Sequence, residues 1–255
     1  MRQINAPKQL DLFKPTSKII LFIVDGNHDE NEINKMLHVY CPKLFENYRA
    51  MFLACDENDI TQRAKASSKN IVGMITEQLI AWRKNGGHQY VIYPSDIDRI
   101  IHIIDTDGAF IPRESVKKGS GKIKYTEDAI YCIDRDGIVG RNKRKTDTIF
   151  NRLITNGKID NIPYSIWYVS CNMDHLLFGK QPENDKEKLN NEIRFRRECQ
   201  SPEYLSQSIF ADGIRAESTY EESWDFIKEA HNSLHRHCNI NLLLDELKAL
   251  SETDT

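Results

Sequence analysis

The chain of 255 residues predicts an α/β fold: a mostly parallel central sheet flanked by helices, with a helical C-terminal extension. Three observations carry this. First, Lys18-Ile-Ile-Leu-Phe-Ile-Val24, the run Ile100–Ile104 broken by His102, and Ile162-Pro-Tyr-Ser-Ile-Trp-Tyr-Val169 are short, β-branched and not alternating with polar residues. Such runs read as strands buried on both faces, the kind a parallel sheet carries in its middle. Second, the segments between them space their apolar residues as helices do. Third, the resulting order of strand, helix, strand, helix, strand is that of parallel α/β sheets.

Residues 1–17, polar and carrying Pro7 and Pro15, read as an N-terminal arm. After the first strand, Asp25-Gly-Asn-His-Asp-Glu30 leads into a helix starting near Asp29, with Ile33, Met36, Leu37 and Tyr40 on one stripe and Pro42 closing it. Arg49–Cys55 is a second short strand. Residues 57–84 are helical, with Ile71, Ile75, Leu79 and Trp82 on one face, and Asn85-Gly-Gly87 ends that helix. Pro94 makes residues 91–94 a loop or an edge piece, because proline cannot join a central ladder. Residues 112–128, basic and glycine-containing, read as a mobile loop or a solvated linker. Ile130–Cys132 and Ile138-Val139 flank Asp134-Arg-Asp-Gly137 and predict a hairpin. Arg141-Asn-Lys-Arg-Lys145 then precedes a helix carrying Ile149, Phe150, Leu153 and Ile154. Residues 18–180 thus form the α/β domain. In the mostly helical extension, 181–255, residues 181–200 read as an exposed helical insertion and 221–250 as one or two amphipathic helices with Trp224, Ile227, Ala230 and Leu234 as their stripe.

Lys and Arg number 35 against 38 Asp and Glu, a net charge of -3, so any affinity for nucleic acid must be local. Six cysteines without a C-x-x-C pair fit a reduced, cytoplasmic protein. No apolar run of membrane length is present, and neither a secretory leader nor membrane association is expected.

The candidate chemistry lies at strand ends. Asp25 ends the first strand, and Asp105 and Asp107 follow the 100–104 strand, where open α/β sheets place their ligands. Two carboxylates so close repel unless a cation lies between them, and a hard divalent ion such as Mg²⁺ or Mn²⁺ is the usual answer. The alternative is that Asp105-Thr-Asp-Gly108 is only a turn. Asp174 follows the 162–169 strand and is either a third site carboxylate or a first-turn helix acid. Asp134 and Asp136 are a rival pair, better explained by the hairpin. Arg141, Lys143, Arg144 and Lys145 can hold phosphate oxygens or form a solvated face. His231, His235 and Cys238 share a helical face that zinc can use only with a fourth ligand.

Strand–acid–Gly–helix, then strand–Asp-x-Asp–Gly, then a strand followed by an acid, resembles the TOPRIM catalytic domain of topoisomerases, primases, OLD nucleases and RloB-like phage-defence nucleases, over residues 18–180. The family's first strand ends in Glu-Gly, where this chain has Asp25-Gly26. Its later acids resemble Asp29 and Glu30, its Asp-x-Asp matches Asp105 and Asp107, and Cys171-Asn-Met-Asp-His-Leu-Leu177 is similar to an acidic segment of the defence nucleases, with Asp174 as third site. The resemblance implies a nuclease dependent on Mg²⁺ or Mn²⁺, held by Asp105, Asp107 and Asp174, with Asp25 catalytic. DNA or RNA would be the substrate, bound by Arg141, Lys143, Arg144 and Lys145, in anti-phage defence. The same fold allows a non-catalytic module that binds nucleic acid or a partner under an associated ATPase, and a homo-oligomer. Gly26-Asn-His-Asp29 also resembles one metallophosphoesterase segment, but the Asp-x-His and Gly-Asp-x-x-Asp segments that must precede it are absent.

Overall fold

The computed structural model describes residues 17–54, 71–85, 92–182 and 184–253. The expected arm and the expected helical residues 57–70 lie outside them. Five strands form one sheet: β1 (Lys18–Val24), β2 (Tyr48–Ala54), β3 (Ile97–Asp105), β7 (Lys158–Ile159) and β8 (Ile162–Val169), in the order β2-β1-β3-β8-β7. The β2–β1, β1–β3 and β3–β8 pairs are parallel, and β7 runs antiparallel to β8.

The three central strands are buried on both faces, as their composition demands. Ile20, Phe22 and Val24 of β1, Ile101 and Ile103 of β3, and Trp167 and Val169 of β8 point into one core. Ile19, Leu21 and Ile23, Ile100 and Ile104, and Ile166 and Tyr168 point into the other. His102 is buried among them, its Nδ1 2.8 Å from the Tyr164 hydroxyl.

Helix α1 (Asn27–Tyr40) covers the first face with Ile33, Met36 and Leu37. It is joined there by α2 (Leu44–Asn47), α5 (Met173–Phe178), α6 (Asp185–Glu198), α7 (Pro202–Ser208) and α9 (Ile240–Thr253). Helix α3 (Ile71–Asn85) covers the second face through Ile71, Ile75, Leu79 and Trp82, the stripe read from the sequence. Trp224 and Ile227 of α8 (Tyr220–Lys228) pack beside it. Helices α6, α7, α8 and α9 therefore complete the cores of the sheet. Among the described residues, no helix is long and apolar enough to cross a membrane.

Four local expectations are corrected. Residues 112–128 are not one loop: Val116–Lys118 (β4) and Lys124–Tyr125 (β5) pair with Ile130–Cys132 (β6) in a small second sheet. Val116, Ile130 and Cys132 bury a core of their own with Ile111 and Leu234, enough apolar surface to order a basic segment. Second, Asp134-Arg-Asp-Gly137 is not a hairpin. Asp134 caps helix α4 (Arg135–Thr148), its Oδ1 accepting from the Gly137 N–H at 2.9 Å, a use of Asp that competes with turn formation in any Asp-x-x-Gly sequence. Third, the basic run lies inside α4, whose end widens into a π-helical turn, Ile149–Leu153. Fourth, the 181–200 helix is not merely exposed, since Phe195 and Cys199 are fully buried.

The 221–250 stretch also departs from its predicted pattern. Helix α8 ends at Lys228, Ala230 takes a left-handed φ of 45°, and Leu234 sits in a 3-10 turn. Residues 229–239 form an irregular connector, so His231, His235 and Cys238 share no helical face. The connector covers the β8 edge that short β7 leaves open. Val169 and Cys238 form an antiparallel bridge. Buried Asn239 accepts from the Tyr168 N–H at 2.8 Å and donates to Ser223 Oγ at 3.1 Å. Replacing Asn239 with Ala orphans that buried N–H and is expected to cost about 1–3 kcal/mol in urea unfolding. A change below ~0.5 kcal/mol would show that the connector does not hold this edge.

Candidate active site at the carboxyl end of the sheet

Because β1 and β3 are parallel neighbours, with Ile23 opposite His102, the residues that follow them emerge side by side. Asp25 and Asp105 meet there: the Asp105 N–H donates to Asp25 Oδ2 at 3.1 Å. Gly26, in an extended conformation, turns the chain into α1 and puts Asp29 in its first turn, where the helix dipole favours an acid. Glu32 lies one turn on and is buried.

The turn after β3 is held from three sides. Asp107 has a φ of 50° and Gly108 one of 63°, and Cys171, after β8, has 59°. The left-handed φ of Gly108 favours glycine, and a Cβ there would also crowd the Leu234 side chain. Two left-handed non-glycine residues side by side are the kind of backbone strain that surrounding contacts must over-determine. Those contacts are present. The Asp107 N–H donates to the Cys171 carbonyl at 2.8 Å, and buried Thr106 accepts from the Cys171 N–H at 2.9 Å. From the connector, the Ser233 carbonyl accepts from Thr106 Oγ1 at 3.3 Å, and the His237 carbonyl from the Ser170 N–H at 2.8 Å.

Helix α4 supplies the cations. Lys145 is fully buried, with its Nζ 2.7 Å from Asp107 Oδ2. One turn earlier on the same face, Arg141 donates to the Asp107 carbonyl at 2.8 Å and to the Tyr125 hydroxyl at 3.1 Å. Lys143 and Arg144 point to solvent, Lys143 paired with Asp147 at 2.6 Å. The helix thus divides the basic run: Arg141 and Lys145 grip the Asp107 turn, and only Lys143 and Arg144 form an exposed basic face.

Like charges gather beyond what the two sequence pairs suggested. Asp105 is pushed well above the usual carboxylate range by burial and then by Asp29, Asp25 and Asp107, with Lys145 opposing. Burial, with the charges of Asp174 and Asp107, raises Asp29 to about 6 against the pull of Lys188 and His28. Burial, Asp29, Asp174 and Glu192 raise Glu32 to about 9. Asp174 is itself raised by burial and lies beside Lys188, whose Nζ is 3.9 Å from its Oδ2. His28 Nδ1 is 2.8 Å from Glu192 Oε2, tying the site to α6.

Asp25 and Asp107 thus act on Asp105, whereas Asp174 acts on Asp29 and Glu32. Asp134 and Asp136 lie at the start of α4, as a cap and its neighbour. His231 Nε2 is 2.7 Å from Ser115 Oγ, and Cys238 is buried in the sheet-edge bridge. Among the described residues, no three His, Cys, Asp or Glu side chains are gathered to hold a metal ion as they stand. The donors near Asp105 are carboxylate oxygens, the chemistry that Mg²⁺ and Mn²⁺ take, and their mutual repulsion is what a cation relieves. The sequence by itself does not single out Glu32, Lys188 or Glu192. Glu32 follows Asp29 at i+3 on one helix face, a signal too common to single it out, and α6 joins the site only through tertiary packing.

Glu32 gives a pH test. Its folded value lies above its unfolded one, so its contribution to stability is complete below about pH 4.5 and is lost as pH rises towards 9. Thermal unfolding from pH 5 to 9 should show stability declining, at up to ~1.4 kcal/mol per pH unit for one group. Glu32→Gln, which needs no proton, should flatten that decline. Parallel profiles for the two proteins would show that Glu32 is not held protonated.

Comparison with protein-family models, with curated proteins and with solved structures finds no match to the chain, so the functional reading rests on the site itself.

Proposed function

We propose that the acid cluster is the active site of a TOPRIM-like, divalent-metal-dependent nuclease that cleaves phosphodiester bonds of DNA or RNA, acting in anti-phage defence. The observation that carries this reading is the meeting of Asp25 and Asp105 at the ends of adjacent parallel strands, with Asp107 on the turn that follows. It matches the order of acids on which the resemblance rests. In this reading Asp105 and Asp107 hold Mg²⁺ or Mn²⁺, and Asp25, hydrogen-bonded to Asp105, completes the set in preference to Asp174. The ion would supply Lewis-acid activation of water and charge relief at the leaving oxygen. Lys145 and Arg141 fix the Asp107 side chain and carbonyl, so that the carboxylate is oriented before substrate arrives. Lys143 and Arg144 meet the phosphate backbone, giving a salt-dependent affinity. Asp174 acts on the cluster through its charge.

One observation favours a second reading. The Lys145–Asp107 pair already neutralises one site carboxylate, which suits a non-catalytic module controlled by a partner such as an ATPase.

Plasmid, single-stranded DNA and total tRNA incubated with Mg²⁺, with Mn²⁺ or with chelator separate the two. The nuclease reading expects metal-dependent cutting that falls at least ~100-fold in Asp105→Asn/Asp107→Asn. It also expects Mg²⁺ to raise the Tm of the unaltered protein but not of the pair. Unchanged cutting by the folded double variant would end it. Neither cutting nor a metal-dependent Tm shift would support the module.

A further inference from the structure

Another stripe of α4 borders a separate cavity of about 570 Å³. That size lies within the roughly 300–1,000 Å³ of small-molecule sites. Phe110, three residues past Asp107, and Phe150, on the π-helical turn, form its apolar wall, their ring centroids 5.2 Å apart and edge to face. Three cations stand around it: Arg113, Lys143 and Lys228. Lys228 Nζ lies 4.2 Å from the Phe150 centroid. The cations have surface partners in Asp136 (3.9 Å), Asp147 (2.6 Å) and Asp225 (2.7 Å), the weak kind of pairing that an incoming anion can displace.

The deciding feature is Asn142. It lines this cavity and is only 6% exposed. Its Oδ1 accepts from Arg141 at 2.8 and 3.1 Å. Its Nδ2, buried, has no hydrogen-bond partner among the described residues. An unmatched buried amide donor is costly, and an acceptor that reaches it as the cavity fills would relieve that cost. The site thus asks for three things in one molecule: an anionic end for the cations, a planar apolar ring for the phenylalanines, and a polar ring edge for the amide.

We propose that this cavity binds a nucleoside phosphate, with the phosphate among Arg113, Lys143 and Lys228, the base against Phe110 and Phe150, and the polar edge of the base towards Asn142. Base stacking on aromatic side chains with cations tracking the phosphate is how single strands are also held, so the nucleotide is either free or one unit of a strand. The inference does not rest on the nuclease reading, because no member of the acid cluster lines the cavity. Arg141, bonded both to Asn142 and to the Asp107 carbonyl, joins the two sites.

Isothermal titration in chelator, which silences metal-dependent cleavage, tests it. The probes are AMP, GMP, CMP and UMP, the pentanucleotides of dT and rU, and inorganic phosphate. The variant is Lys143→Met/Lys228→Met, with side chains 74% and 42% exposed, so folding should be kept. Arg113→Met, 71% exposed, is the second variant, and Lys35→Met on α1 is the control. Binding of mononucleotides, weakened tenfold or more by the double variant and unchanged in the control, assigns a free nucleotide. The same pattern with pentanucleotides alone assigns a strand unit. No binding at 1 mM, binding by the lysine double variant and by Arg113→Met equal to that of the unaltered protein, or phosphate binding as tightly as AMP would overturn the assignment.

Discussion

Burial of β1, β3 and β8 on both faces is the constraint on which the rest of the molecule depends. Strands enclosed by two helical layers have no room for charge along their length, and these carry none in their central stretches beyond a hydrogen-bonded histidine. Charged groups are therefore displaced to the strand ends, and parallel pairing gathers the carboxyl ends on one edge. Asp25 and Asp105 are neighbours because β1 and β3 are, and the turns after β3 and β8 touch through Asp107 and Cys171 because those strands are also paired.

Acids crowded in this way need compensation that water supplies poorly in a recess. Lys145 answers part of the need, fully buried against Asp107. A buried pair of this kind contributes little net stability, but removing one partner is costly, so it acts chiefly to fix geometry. Proton uptake answers another part: burial and repulsion hold Glu32 and Asp105 above the usual carboxylate range. A divalent ion between the remaining carboxylates would complete the compensation, which is the physical content of the proposed activity.

The connector 229–239 shows how a stretch without regular structure can organise a site. Its backbone carbonyls and Asn239 satisfy groups at the end of β8, and Ser233 meets both Thr106 and the Phe110 N–H. It thereby underlies both the strained Asp107 turn and the wall of the neighbouring cavity.

Much of this fold was legible in the sequence. The strands 18–24 and 162–169 appear where their apolar runs lie, and the α3 stripe of Ile71, Ile75, Leu79 and Trp82 faces the sheet, because burial periodicity is a local property of the chain. That Asp25 and Asp105 end their strands was likewise readable. The local signal failed where one pattern serves two structures. Asp-x-Asp-Gly reads as a hairpin turn but here caps α4, and that shift of the helix start carried the basic run onto a helix. Once helical, residues 141 and 145 turn inward while 143 and 144 turn out, a division that a linear charge cluster does not contain. The basic 112–128 segment gained strands because Ile111, Val116, Ile130 and distant Leu234 found one another. By itself the sequence determined the buried strands and the acids at their ends, since both follow from the periodicity of neighbouring residues. Only the tertiary structure decided which acids meet, that Lys145 is their counter-ion, and that α6 and the connector enclose them, because those contacts join residues tens of positions apart and depend on strand order and helix facing.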